Sequence, residues 1–148
     1  MWIDEKTYRM IRSKVSVPAA DGVIIKDRKV LLLKRNFRPK GKWCLPGGHV
    51  NYRESVENAI RREVLEETGL RTSIRKLIGV YSDPKRDKRW HAVSTAYLLN
   101  ITGGTLRINE ESSDFGFFLP GKLPKGMAFD HAKIIRDAFK CLKSYRIR

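Results

Sequence analysis

This chain is short of the residues that staple or anchor a protein. Its 2 cysteines, Cys44 and Cys141, are far apart and in no C-x-x-C spacing, which argues against a disulfide framework or a zinc cluster and reads as two small buried hydrophobes. Glutamine is absent while Lys and Arg abound, a trend seen in heat-adapted proteins. No apolar run approaches transmembrane length, and the opening MWIDEKTYRMIRSK alternates charge with apolar residues instead of forming an h-region. The expectation is a cytoplasmic protein with no membrane partner. Acidic residues are scarce as well: 16 Asp and Glu face 31 Lys and Arg, a net charge of +15 that predicts an electropositive surface attracting polyanions such as nucleotides or nucleic acid.

What is present suits one ordinary domain. A chain of 148 residues with 41% hydrophobic content can bury a core, and residues 1–148 leave no room for a second domain. Val15 to Lys26 and Lys29 to Leu33 read as strands joined in a hairpin at Asp27-Arg28. The basic stretch from Lys34 to Lys42 reads as a loop, and Trp43 to Leu45 as a short strand entering Pro46-Gly47-Gly48. Ser55 to Thr68 is a helix closed by Gly69 in the C′ position. Strands follow at Ile74 to Tyr81 and Trp90 to Ile101, Gly103-Gly104 is expected to turn the chain, and a short strand covers Phe115 to Leu119. Asp130 to Tyr145 closes the chain as a helix with Ile134, Ile135, Ala138, Phe139 and Leu142 as its buried stripe. Strands with one helix inserted and one at the end predict an α/β (α+β) fold, a mixed sheet with helices on both faces. Residues 1–14 stand apart as an N-terminal extension able to dock on its own domain or on a partner, a homodimer included.

The first of these helices carries an electrostatic anomaly. At about 100° per residue Val56, Ala59, Ile60 and Val64 fall within an arc of about 140°, the apolar stripe that should face a core. Glu63 and Glu67 fall in the middle of that arc and Glu66 at its edge. Carboxylates buried together raise one another's pKa and are desolvated at a cost unless a cation neutralises them. The pattern asks for a metal. Glu63, Glu66 and Glu67, at i, i+3 and i+4, can offer hard oxygen ligands together.

Around that helix, Gly48, five residues, Glu54, seven residues, then Arg62-Glu63-Val64-x-Glu66-Glu67-x-Gly69-Leu70 match every specified position of the Nudix box, over residues 48–70. Seven fixed residues at background frequencies of roughly 6 to 7% match a given window by chance on the order of once in 10⁸. The chain thus resembles the Nudix hydrolases, and members that act on ADP-ribose most closely. The resemblance implies an α/β/α sandwich and a Mg2+-dependent enzyme, Mn2+ substituting, that cleaves a nucleoside diphosphate linked to another moiety by water attack on phosphorus. It implies that Glu63, Glu66 and Glu67, with the Gly48 carbonyl, hold the ion and that Arg62 orients them. Glu54, near the helix N-terminus, is read as structural. The catalytic base is left between Glu67 and Glu111, which lies six residues before the aromatic Phe117.

Outside the box, Pro84 lies fifteen residues after Gly69, in a segment resembling that of Nudix enzymes that split ADP-ribose, although Lys88 and Trp90 depart from it. Arg35, Arg86 and Arg89 offer planar forks for phosphate, Trp90 offers a stacking face, and His91 is the histidine most worth testing. Three readings follow: hydrolysis of ADP-ribose or a similar nucleotide sugar, housecleaning of nucleoside triphosphates including oxidised ones, and RNA 5′-phosphate hydrolysis or RNA binding.

Overall fold

The computed structural model describes residues 2–144. Its order is α1 (Glu5–Lys14), β1 (Val17–Lys26), β2 (Lys29–Arg35), β3 (Trp43–Cys44), β4 (Gly47–His49), α2 (Val56–Thr68), β5 (Leu70–Tyr81), β6 (Ala92–Gly104), β7 (Ser112–Phe118) and α3 (His131–Ser144). Seven strands form one mixed sheet in the order β3-β2-β1-β6-β5, with β4 added to β1 and β7 to β2. β1 runs parallel to β6, from Val17 opposite Ala92 to Ile24 opposite Leu99, while the remaining pairs are antiparallel.

The predicted hairpin forms where Asp27 and Arg28 adopt φ of 50° and 63° and Ile25 pairs with Val30. Two consecutive left-handed residues give a turn whose twist matches the flanking strands. β1 and β2 are apolar without alternation because both faces of the sheet are covered. Val23, Val30 and Leu32 point to the layer of Ile134, Ile135 and Ala138 on α3. Ile24 and Leu31 point to the opposite layer, with Ile60 and Val64 of α2. Ile60 and Val64 are fully buried, each contributing about 1.5–3 kcal/mol of hydrophobic stabilisation to docking α2.

Local chemistry sets the ends of α2. The Ser55 side chain accepts from the Asn58 N–H at the start, and Gly69, at φ 69°, lets its own N–H reach the Leu65 carbonyl at the end. Pro46 and the tight pair Gly47-Gly48 carry the chain past β1, where a Cβ on Gly47 would lie 2.2 Å from the Ala20 carbonyl oxygen and one on Gly48 would lie 2.5 Å from the Glu63 carboxyl carbon.

Several expected element bounds need correction. Gly103-Gly104 does not turn the chain: both residues stay in β6, paired with Arg71 and Leu70. β5 accordingly begins at Leu70 rather than Ile74. The N-terminal extension contains a helix, α1, capped by the Asp4 side chain on the Thr7 N–H, with no buried residue. Val15 caps that helix instead of starting β1. Tyr145, expected in the last helix, lies outside the described residues. At the far edge of the sheet β5 is long and irregular, with register shifts at Arg71/Thr72, Ile74/Lys76 and Leu77/Gly79.

Candidate active site

β4 and α2 meet at one end of the sheet, and there a single arginine organises the acids. Arg62 donates Nε and Nη2 to the two oxygens of Glu54, each at 2.8 Å, Nη1 to Glu63 at 2.7 Å and to Glu66 at 3.3 Å, and Nη2 also to the His49 carbonyl at 3.0 Å. The forked pair with Arg62 holds the Glu54 carboxyl down at about 2, and Glu54 also accepts from the Asn51 N–H. Glu54 is therefore a brace between the β4–α2 loop and the helix, and its partner is a guanidinium rather than the helix dipole.

Glu67 receives the Gly47 N–H at 2.8 Å on Oε2 and is 7% exposed. Burial pushes its carboxyl up to about 8, with Glu63 and Glu111 adding like-charge repulsion against the opposing Gly47 bond. Burial also raises Glu63, with Glu66 and Glu111 contributing, although Arg62 opposes it. Glu67 forms no ion pair among the described residues, and the charge of Arg35 favours its ionised form without offsetting burial.

A cleft of about 440 Å³ opens over these groups. Gly48, Glu63, Glu66, Glu67 and Glu111 line it, and Arg35, Arg86, Arg89 and Trp90 face them across the same space. Arg62 is not in its wall and acts on it through the glutamates. Pro84 and His91 also lie outside it: both are exposed, and His91 Nε2 is 3.0 Å from the Ser82 carbonyl oxygen.

Arg86, proposed from sequence as a phosphate fork, is spent inside the protein. It binds Asp130 through Nε at 3.0 Å and Nη2 at 2.7 Å, and reaches Asp21 at 3.4 Å. Asp21, in the middle of β1, also accepts the Ser94 hydroxyl at 2.5 Å and lies 3.3 Å from His131 Nε2. Because the Leu45 N–H donates to His131 Nδ1, the ring proton sits on Nε2, facing Asp21. Burial works against the Asp21 carboxylate, but His131, Ser94 and Arg86 outweigh it and hold the group at about 2. This buried network forms one wall of the cleft.

Other groups in and beside the cleft are aromatic and cationic. Trp90 carries the guanidinium carbons of both Arg12 and Arg89 at 4.3 Å from its ring, and His49 lies 5.5 Å away. Burial, then the charges of Arg12 and Arg89, push His49 down to about 4, so it is neutral near pH 7. Phe129 adopts φ 53°, uncommon for a bulky side chain, and lies beneath Arg35 and Arg89 at 5.3 and 5.1 Å. Arg35 Nε is buried and has no protein partner. Cys44, also in the wall, is no nucleophile: burial pushes its thiol up to about 12.

Sequence reasoning missed Asp21, His131, Asp130 and Phe129. Asp21 alone carried a signal, a carboxylate inside the apolar run from Val17 to Ile25.

The donor set suits a divalent cation of the hard kind, since several carboxylates line one cleft and burial of Glu67 outweighs the cationic help it receives. Among the described residues no three acidic, His or Cys side chains stand close enough to enclose an ion; Arg62 binds Glu63 and Glu66, and the Gly47 N–H binds Glu67. No described helix is long and apolar enough to cross a membrane.

Comparison with known proteins points the same way. Residues 16–138 match the NUDIX domain. The chain is 46% identical over 135 residues to the ADP-ribose pyrophosphatase of Methanocaldococcus jannaschii, covering 90% of this chain and 78% of that protein. Among solved structures, the NUDIX domain of Shewanella oneidensis NrtR complexed with ADP ribose superimposes with a TM-score of 0.76 at 26% identity, covering 95% and 99% of the two chains. An ADP-ribose pyrophosphatase from Streptococcus suis gives 0.70 at 25% identity, covering 84% and 92%.

Proposed function

Because this chain belongs to the NUDIX domain family, we propose that it hydrolyses the diphosphate of ADP-ribose or a closely similar nucleotide sugar, with water as the nucleophile and no covalent enzyme intermediate. For ADP-ribose the products are AMP and ribose 5-phosphate. One observation carries the reading: acidic side chains from α2 and the β6–β7 segment share a single cleft with guanidinium and aromatic groups, the combination that a dianionic diphosphate bearing a base requires. The 46% identity to an ADP-ribose pyrophosphatase supports the substrate class.

Within this reading Glu63, Glu66 and Glu67, with the Gly48 carbonyl, hold a divalent cation, for which we assign magnesium with manganese as substitute. When bound, such an ion neutralises the diphosphate and lowers the pKa of a water. Arg62 keeps Glu63 and Glu66 in position. Arg35, whose Nε is unpartnered, takes a phosphate oxygen, and Arg89 helps from the opposite side. Trp90 and Phe129, whose rings carry Arg12, Arg35 and Arg89, hold those guanidiniums beside the substrate. Glu111 or Glu67 accepts the proton of the attacking water. Arg86 positions Asp21 and Asp130 and does not touch the substrate.

Incubation with magnesium and ADP-ribose, followed by chromatographic separation, should yield AMP and ribose 5-phosphate in equal amounts. Turnover of nucleoside triphosphates or 5′-triphosphorylated RNA, with ADP-ribose left intact, would overturn the substrate assignment.

A further inference from the structure

The acidic cleft absorbs little of the surplus positive charge. Much of the rest gathers next door. Side chains of α1, Arg38 and the segment before β6 line a second, open cleft of about 590 Å³, which shares Arg89 and Trp90 with the first. Its cationic side chains are Arg9, Arg12, Arg38, Lys88 and Arg89, against one carboxylate, Glu5, already paired with Arg9 at 2.7 Å. Arg89 is held by Asp87 and donates to the Arg38 carbonyl, so it acts as the partition between the clefts. Arg12, Arg38 and Lys88 have no carboxylate partner among the described residues. Arg12 lies on Tyr8 and Trp90, at 4.7 and 4.3 Å from the ring centres, and touches His49.

Like charges crowded into one concavity repel, and an anion reverses that repulsion. The opening is contiguous with the diphosphate cleft, and two of the three uncompensated cations, Arg38 and Lys88, are exposed. A group that fits is small, doubly negative and attached to something already seated in the first cleft. A phosphate monoester has that character, and its oxygens match guanidinium forks.

We propose that the cleft beside α1 is a second anion site that receives a phosphate monoester carried by the substrate outside its diphosphate, so that the enzyme prefers nucleotide sugars phosphorylated at one end. This rests on the reading of the first cleft as the diphosphate site. The ester sits either on the nucleoside ribose or on the departing sugar.

Steady-state kinetics with ADP-ribose, its adenosine 2′-phosphate and its 1″-phosphate distinguishes these ends. We expect about a tenfold lower KM for one phosphorylated substrate, shrinking toward parity near about 1 M salt, where the screening length is about 3 Å. The double variant Arg38→Ser, Lys88→Ser should lose that preference while turning over ADP-ribose as the wild type does. Equal KM for all three substrates would overturn the second site and leave ADP-ribose hydrolysis standing. A preference that survives in the double variant would also overturn it. Calorimetric titration in chelator reads the site without turnover, comparing adenosine 2′,5′-bisphosphate with AMP and ribose 1,5-bisphosphate with ribose 5-phosphate. Failure of ADP-ribose hydrolysis alongside tighter bisphosphate binding would reject the hydrolase reading alone, whereas equal affinities within both pairs would reject the second site.

Discussion

Substituting Glu67→Gln should make the metal-free protein more stable and the enzyme far slower. In chelator the Glu67 carboxyl, ordinarily near 4.5, is pushed up to about 8 by burial. An acid whose folded-state pKa is raised binds its proton more tightly when folded. Stability is therefore full below about pH 4.5 and drains away as pH climbs toward about 8. At pH 7 the loss corresponds to roughly 2.5 pH units, or about 3 kcal/mol, and near pH 5 to under about 1 kcal/mol. Glutamine removes the charge, and its amide oxygen can still accept the Gly47 N–H now received at 2.8 Å. The new NH2 group sets back about 1 kcal/mol, for a net gain of about 2 kcal/mol at pH 7. For a chain of this size that is about 4–8 °C in melting temperature. Thermal unfolding in chelator at pH 5 and pH 7 tests it. A variant no more stable than wild type at pH 7, or a gap that does not widen from pH 5 to pH 7, would refute the reasoning. Magnesium should narrow the gap by stabilising only the wild type, and kcat of the variant should fall about 10²–10⁴-fold.

Other perturbations address the remaining parts of the site. Asp21→Asn leaves donors from Ser94, Arg86 and His131 facing an amide that can accept only some of them, at a cost of about 3–5 kcal/mol in chemical unfolding. Asp21 is held low, so its stabilisation is complete above pH 3.8 and fades as pH falls toward about 2; acid unfolding of the wild type should show that dependence and the variant should lack it. Arg62→Lys cannot span Glu54, Glu63, Glu66 and the His49 carbonyl together, and magnesium titration of activity should show about 10–100-fold weaker affinity. Gly48→Ala places a methyl 2.5 Å from the Glu63 carboxyl carbon and should lower kcat at unchanged melting temperature; wild-type kinetics would show that Glu63 is free to move.

Local periodicity and caps made much of the fold legible. Ser55 and Gly69 bracket α2, Asp27-Arg28 turns the hairpin, and Ile134, Ile135 and Ala138 form the buried stripe of α3. Charge in an apolar stripe marked Glu63 and Glu67, the latter 7% exposed, with Glu66 at its edge, and the spacing of the box joined all three. Partners distant in the chain were not legible. The Asp21 network joins residues from β1, the segment before β6, β6 itself and the start of α3, and no local pattern pairs Arg86 with Asp130, 44 positions away. Arg86 consequently read as a phosphate ligand. Gly103-Gly104 read as a turn because glycine usually marks one, yet pairing with Leu70 and Arg71 kept the pair in the sheet. α1 was hidden because its side chains alternate in character and none is buried.

The outer edge of β5 gives the excess of basic residues a further task. A strand of 12 residues at the end of a sheet, with Leu77 and Val80 half or more exposed, is a template on which another chain can add its own strand. Arg71, Arg75 and Lys76 punctuate that rim, and three register shifts break its flatness. The same cations that favour nucleotides elsewhere here act as mutual repellents between molecules, so the solubility of the protein should depend on keeping its rims mutually charged. High salt or multivalent polyanions, by silencing that repulsion, would favour edge-to-edge aggregation over loss of the fold.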